Sequence, residues 1–262
     1  MSLHPTAVVD ALARLGRVTV GAYAVIGADV ELADGVEVGP HAVLSGPMAV
    51  GVDTRIGPHA VLGGPPQSAR HDGSATLLLI GARNVFREFS TAHRGSSVGS
   101  GETRIGDDNL FMVGSHVAHD AIVGSRCTFA NQATVAGHVE VADEVTLGGF
   151  AAVHQHVRVG RLAMVAAGAI CTEDVPPFSL VQGDRARWFG WNTVGLRRAG
   201  WTDADEAALR RISQVVFGGR SLPVALGILA EDGVRSTIIN EWLAFALATR
   251  RGLCPAARGG TA

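Results

Sequence analysis

Aliphatic residues recur at every sixth position of this chain, and few folds tolerate that period. The series runs Val20, Ile26, Leu32, Val38, Leu44, Val50, Ile56 and Leu62, then resumes at Ile80 and Phe86. It starts again in a shifted phase at Ile105 and continues through Phe111, Val117, Val123, Phe129, Val135, Val141, Leu147, Val153, Val159 and Val165. A helix repeats its apolar face every ~3.6 residues and a strand every second residue, so neither holds such a period for long. A solenoid does, because each six-residue segment turns one aliphatic side chain into a core shared with its neighbours. Small residues often follow the aliphatic one, as at Gly27, Gly39, Gly51, Gly57 and Gly106, which is expected where the backbone bends at a corner with little room for a side chain. Aromatic residues make up only 5% of the 262, in keeping with thin stacked rungs that leave little room for large rings.

Two polar segments, 63–73 and 95–102, interrupt the repeat. They read as loops extruded from a coil, either carrying binding residues or simply tolerated. The repeat stops at Val175-Pro176-Pro177, where two prolines are expected to end strand pairing. Beyond it the spacing predicts a short helix over Trp188–Arg198 and a second opened by Thr202 and running to about Phe217. Two more are predicted over Leu222–Leu229 and Val234–Leu247. The predicted organisation is therefore mainly β, with a solenoid over 1–177 and a small helical domain over 178–262 that covers the solenoid's open end.

Mean hydropathy is +0.24, yet no stretch approaches the roughly 18–20 apolar residues of a membrane span. The N-terminus shows no basic segment followed by an apolar run, so no signal peptide is expected. Three scattered cysteines do not make a disulfide framework, and a cytoplasmic setting is expected. A net charge of −2 argues against nucleic acid as a partner of the whole chain. From Phe178 onward, eleven Arg face seven Asp and Glu, a balance that suits an acidic protein or a phosphate.

Five of the ten histidines lie between Gly114 and His156. If three faces close each coil, as in known hexapeptide solenoids, residues about 18 apart stack at roughly 4.8 Å per coil. His119, Gly137 and Gln155 then form one column, and Asp120, His138 and His156 the next. A neutral imidazole can take a proton from a hydroxyl near pH 7, and Asp120 can fix its tautomer. A bare glycine beside the base leaves a backbone N–H open to a developing oxyanion. With no Ser or Cys in these columns, direct attack by an acceptor is expected in place of a covalent intermediate. Two other readings stay open on the residues alone: His-x-x-His as a metal pair, and an idle solvated cluster.

The segments Thr91-Ala92-His93-Arg94-Gly95, Asp108-Asn109-Leu110, His116-Val117-Ala118-His119-Asp120, Ala136-Gly137-His138-Val139, Ala152-Val153-His154-Gln155 and Asp174-Val175-Pro176-Pro177 resemble the acyl-carrier-protein-dependent UDP-N-acetylglucosamine O-acyltransferases that begin lipid A synthesis. The resemblance spans essentially the whole chain. It implies a left-handed parallel β-helix with a helical C-terminal domain, assembled as a homotrimer with active sites between subunits. It also implies acyl carrier protein and a UDP-amino sugar as partners, and no cofactor beyond the donor's own phosphopantetheine thioester. Carried over by motif, His119 is the general base, Asp120 its support and Gly137 the oxyanion donor, and no metal is required. His116 and His138 are expected at sugar or phosphate, and His154 and Gln155 at the acyl chain. His93 and Asn192 match binding positions, and Arg198 matches an Arg for donor or nucleotide. Ala167 falls at an acyl-length ruler that has Gly in members taking longer chains. Three departures fall in the acceptor region. Ser68-Ala69-Arg70 replaces an Asp-x-Lys pair, Val194 replaces a Glu, and Ala199 replaces the second basic residue of a pair. A different acceptor, a coenzyme A donor or a non-catalytic scaffold are the alternatives these departures leave open.

Overall fold

The computed structural model describes residues 1–218, 220–231 and 236–257. Strands of two to five residues build three sheets of 11, 9 and 8 strands among these residues, and pairing is parallel except at one final hairpin. The chain visits the sheets in turn. Thr19–Val20 lies in the first, Val25–Ile26 in the second and Val30–Leu32 in the third, after which Glu37–Val38 pairs back onto Thr19–Val20. The result is a parallel β-helix of triangular section, with corners 1–2, 2–3 and 3–1 between successive sheets. The predicted hexad residues from Val20 to Val165 all point inward and are at most 5% exposed.

Partners normally lie 18 residues apart, as Thr128 and Thr146 do. The interval widens to 30 between Met48 and Leu78 and to 25 between Leu78 and Thr103. These jumps locate the two extruded loops, and the register closes again after each.

Two expectations from the sequence need correction. The glycines that follow the aliphatic positions do lack room for a side chain, as expected, but through stacking on the next coil and not through bending. A Cβ on Gly39 would lie 2.9 Å from the Gly57 carbonyl carbon, and one on Gly51 2.5 Å from that of Gly81. The bend falls two residues later, on side-chain-bearing residues in the left-handed region such as Asp29 (φ 56°), Asp120 (φ 59°) and His138 (φ 62°). The rungs also hold large rings: Phe86, Phe111 and Phe129 are buried and stacked at 4.5 and 4.8 Å between centroids, so each ring fills the space between coils.

The prolines at 176–177 do not end the first sheet. Ser179–Gln182 adds to it in parallel on Met164–Val165, then turns back as an antiparallel strand over Arg187–Trp191. The predicted helix from Trp188 therefore begins only at Thr193. The aromatic run 188–191 prefers an extended pairing that buries Trp188. Helices follow at Thr193–Arg198 (α1), Asp203–Val216 (α2), Leu222–Glu231 (α3) and Thr237–Leu247 (α4). Val234, predicted to open the last helix, lies outside the described residues. Thr202 caps α2 through a reciprocal box with Asp205.

The helices bury Ile212, Leu229, Ile239 and Trp242 against Leu162 and Phe178 of the 3–1 corner. Arg161 links the two parts, reaching Glu241 of α4 at 2.9 Å and Glu144 at 3.3 Å. The C-terminal segment returns to the last coil, where Thr249 Oγ1 donates to buried Asp174 (2.7 Å) and Cys254 N–H donates to the Asp174 carbonyl (2.8 Å).

Candidate active site

The 2–3 corner carries the chemistry. His138 N–H donates to the His119 carbonyl and His156 N–H to that of Gly137, which fixes both predicted columns along one edge of the prism. His119 is held beside Asp120, its Nδ1 2.7 Å from Oδ2. The ring lies over Gly137: a Cβ there would fall 2.7 Å from His119 Cε1 and 3.0 Å from Nε2. Only glycine admits the imidazole at this spot. Among the described residues the Gly137 N–H donates to no protein acceptor, so it is free for a developing oxyanion.

The Asp120 side chain is wholly buried. Burial by itself would push its carboxyl up, but hydrogen bonds from Ser96, His119 and Ser100 outweigh that and hold it at about 2. The carboxylate is thus ionised near pH 7. His138 meets His119 edge-on at 5.3 Å and stacks on His156 at 4.5 Å. Burial lowers the His138 pKa, against an opposing pull from Asp120.

His93 and His116 extend the cluster along the second sheet, edge to face at 5.2 Å. His116 Nδ1 lies 2.8 Å from Thr91 Oγ1, and burial, with His93 and His119 adding to it, pushes its pKa down to about 4. His116 is therefore a neutral hydrogen-bonding group near pH 7. Burial likewise lowers His93, whose Nδ1 is buried without a partner among the described residues. An orphaned polar atom of this kind costs free energy unless a ligand satisfies it.

His119, Asp120 and His138 offer ligand atoms within 4.8 Å of one another, the spacing a metal would need. Asp120 Oδ2, however, already accepts from Ser96 Oγ at 2.6 Å and engages His119 Nδ1. That carboxylate geometry serves a hydrogen-bonded pair.

The remaining predicted residues are spread around the prism. His154 and Gln155 are exposed on the same 2–3 corner. Ser68, half-buried, and Arg70, exposed, ride on the first extruded loop, whose charge is felt at His138. Ala167 is exposed at the 1–2 corner. Asn192 sits by the 3–1 corner with both halves of its amide engaged: Oδ1 caps α1 at Gly195 N (3.0 Å) and Nδ2 donates to the Leu162 carbonyl (2.9 Å). Arg198 is exposed in the last turn of α1. One chain therefore gathers the base, its carboxylate and the glycine, but not Ala167, Asn192 or Arg198. Sequence reasoning passed over Ser96, Ser100 and Thr103, whose hydroxyls bond Asp120. The signal was the seemingly idle polar loop that returns the chain to Thr103, on the rung against Ala121.

Comparison with known proteins gives a consistent picture. Residues 174–254 match a family model described as UDP N-acetylglucosamine O-acyltransferase, domain 2, and residues 102–137 match the bacterial transferase hexapeptide model. An acyl-[acyl-carrier-protein]–UDP-N-acetylglucosamine O-acyltransferase of Stenotrophomonas maltophilia is 48% identical over 90% of this chain and 88% of its own. A crystal structure of a UDP-N-acetylglucosamine acyltransferase superposes with a TM-score of 0.94 at 34% identity, covering 98% of this chain and 100% of that one. The Campylobacter jejuni UDP-N-acetylglucosamine acyltransferase gives 0.92 at 33% identity, with the same coverage.

Proposed function

Because the chain belongs to the UDP-N-acetylglucosamine O-acyltransferase family, we propose that it moves an acyl group, a 3-hydroxyacyl chain in our reading, from acyl carrier protein to a hydroxyl of UDP-N-acetylglucosamine, the first step of lipid A synthesis. One observation carries the reading: an imidazole held at 2.7 Å by a buried carboxylate and seated on a glycine whose N–H is free.

The acceptor hydroxyl oxygen attacks the thioester carbonyl carbon while His119 Nε2 takes its proton, and Asp120 stabilises the imidazolium without itself taking a proton. The carbonyl oxygen gains a negative charge that the Gly137 N–H stabilises. The tetrahedral species then reforms its carbonyl and breaks the carbon–sulfur bond. The departing thiolate receives the proton from His119, so the base is regenerated and the products are ester and thiol. No cofactor enters this sequence.

His116, His138 and His93 surround the base as sugar- or phosphate-binding groups, and His154 and Gln155 continue the edge toward the acyl chain. Ser68 and Arg70 approach the base from the first extruded loop of the same chain, while Asn192, Arg198 and Ala167 complete the site from a neighbouring copy. The spread of these residues over three corners supports a homotrimer in which the corner of one protomer faces the helical domain of the next. Among the described residues no helix is long and apolar enough to cross a membrane, and all three cysteines are free and buried. We place the protein in the cytoplasm on the strength of the donor proposed for it, an acyl carrier protein, and of its reduced cysteines.

The test is direct. Purified protein given a panel of acyl carrier proteins and nucleotide sugars should yield an O-acylated UDP-N-acetylglucosamine identifiable by mass spectrometry. His119→Ala should lose about a hundred- to ten-thousandfold in turnover with an unchanged circular dichroism spectrum. A wild-type protein that acylates a different sugar would shift the reading to another acceptor, and the replacements at Ser68, Val194 and Ala199 would be its cause.

A further inference from the structure

The second extruded loop has no assigned role, yet it closes over the one buried carboxylate of the site. Ser96, itself fully buried, donates both its N–H (3.1 Å) and its Oγ–H (2.6 Å) to Asp120. Ser100 Oγ and the Gly101 N–H reach Asp120 Oδ1 at 3.1 and 3.2 Å. From the coil side, Thr103 Oγ1 accepts the Asp120 N–H at 2.8 Å. Gly99 is excluded from carrying any side chain for the same reason, since a Cβ there would fall 2.4 Å from Asp120 Cγ and 2.4 and 2.5 Å from its two oxygens. Gly99 does not adopt the left-handed conformation that glycine usually serves, so space for the carboxylate is the requirement it meets.

We propose that residues 94–101 form a carboxylate clasp, in which Ser96, Gly99 and Ser100 are positioning residues that lock Asp120 and, through it, the imidazole of His119. The physics is that of a preorganised ion. A carboxylate with two free rotors could swing away from Nδ1 or share its charge with water. One gripped on both oxygens from a rigid loop presents a single lone pair to the ring, so the base needs no reorganisation as it becomes imidazolium. The clasp also touches the first extruded loop. The Ser97 N–H donates to His71 Nδ1 (3.3 Å) and the Asp72 N–H to Ser97 Oγ (3.2 Å). The loop bearing Ser68 and Arg70 is thus braced against the loop that holds the base.

This inference rests on His119 being the base, and its test separates the two. In the full-length protein, Ser96→Ala should lower kcat about ten- to a hundredfold, the weight of a hydrogen bond to a charged group, with KM for both substrates unchanged. Ser96→Thr, which keeps the hydroxyl, should stay within about threefold of wild type, and Ser100→Ala, at the exposed rim, should lose about threefold. Gly99→Ala should lose at least as much as Ser96→Ala. The readout independent of turnover is the proton on His119 Nδ1. Bonded to Asp120, it should give a downfield imidazole N–H resonance in wild type and Ser96→Thr, and should broaden or vanish in Ser96→Ala and Gly99→Ala. Wild-type kcat and an unmoved resonance in Ser96→Ala and Gly99→Ala would overturn the clasp. If Ser96→Ala fails to fold, Ser100→Ala and Gly99→Ala decide by the same measurements. A wild-type protein without turnover on UDP-N-acetylglucosamine would refute the substrate reading while the resonance still judged the clasp.

Discussion

Two residues of the site owe their chemistry to what they lack. Gly137 lacks a Cβ, and an added methyl would stand 2.7 Å from His119 Cε1, inside van der Waals contact. Gly137→Ala should therefore displace the ring and lower kcat by about a hundredfold, with little change in melting temperature, as steady-state kinetics and thermal denaturation would show. His116 lacks water, and burial pushes its pKa down from the ordinary 6.5 to about 4. In the unfolded chain that imidazole takes up a proton as pH falls through about 6.5, whereas in the folded protein it stays neutral until about 4. Stability is thus unaffected above that window and declines within it, by about 2 kcal/mol at pH 5. His116→Asn should reduce the loss between pH 7 and pH 5, measured as the shift in urea midpoint. That His119, Asp120 and Gly137 are neighbours was legible from their register, because a coil of fixed length converts sequence distance into spatial neighbourhood; the roles given to them came with the family resemblance. Ser96 was not legible, since an extruded loop has no register of its own.

At the scale of elements, the solenoid was read correctly from its aliphatic period, and the error at Trp188 shows where period reasoning weakens. A run of aromatics satisfies both a short helix and an extended hairpin, and pairing on Ser179–Gln182 decided the matter. The helical domain depends on polar contacts as well as apolar ones. Arg161 bonds Glu241 through Nε and Nη2 and reaches Glu144, and its guanidinium lies 5.1 Å from the Phe178 ring centroid. The hydrogen bonds that Arg161 donates to Glu241 raise its pKa and outweigh burial, which works against them. Arg161→Ala strands Glu241, while Glu144 keeps Arg126 at 3.2 Å, and should cost about 1–3 kcal/mol. Differential scanning calorimetry should show the helical domain loosening ahead of the β-helix, because the coils retain their own core.

At the scale of the whole molecule, His119 and Arg198 belong to different corners, and the site we propose between copies would make them complementary between chains. Each single variant, His119→Ala or Arg198→Ala, should be impaired by itself. Mixed, unfolded and refolded together in equal amounts, they should recover about a quarter of wild-type activity, the share of sites that draw an intact half from each parent. No recovery would place both residues in the same protomer's site. The stacked glycines carry a consequence for how such a protein changes over evolutionary time. Gly39 against Gly57 and Gly51 against Gly81 leave no slack in the wall, so a stray residue cannot be absorbed there. New material must leave at a vertex and rejoin the same rung, as the two sidearms here do. A lineage of this architecture therefore acquires novelty by growing appendages, and shortens only by discarding entire turns.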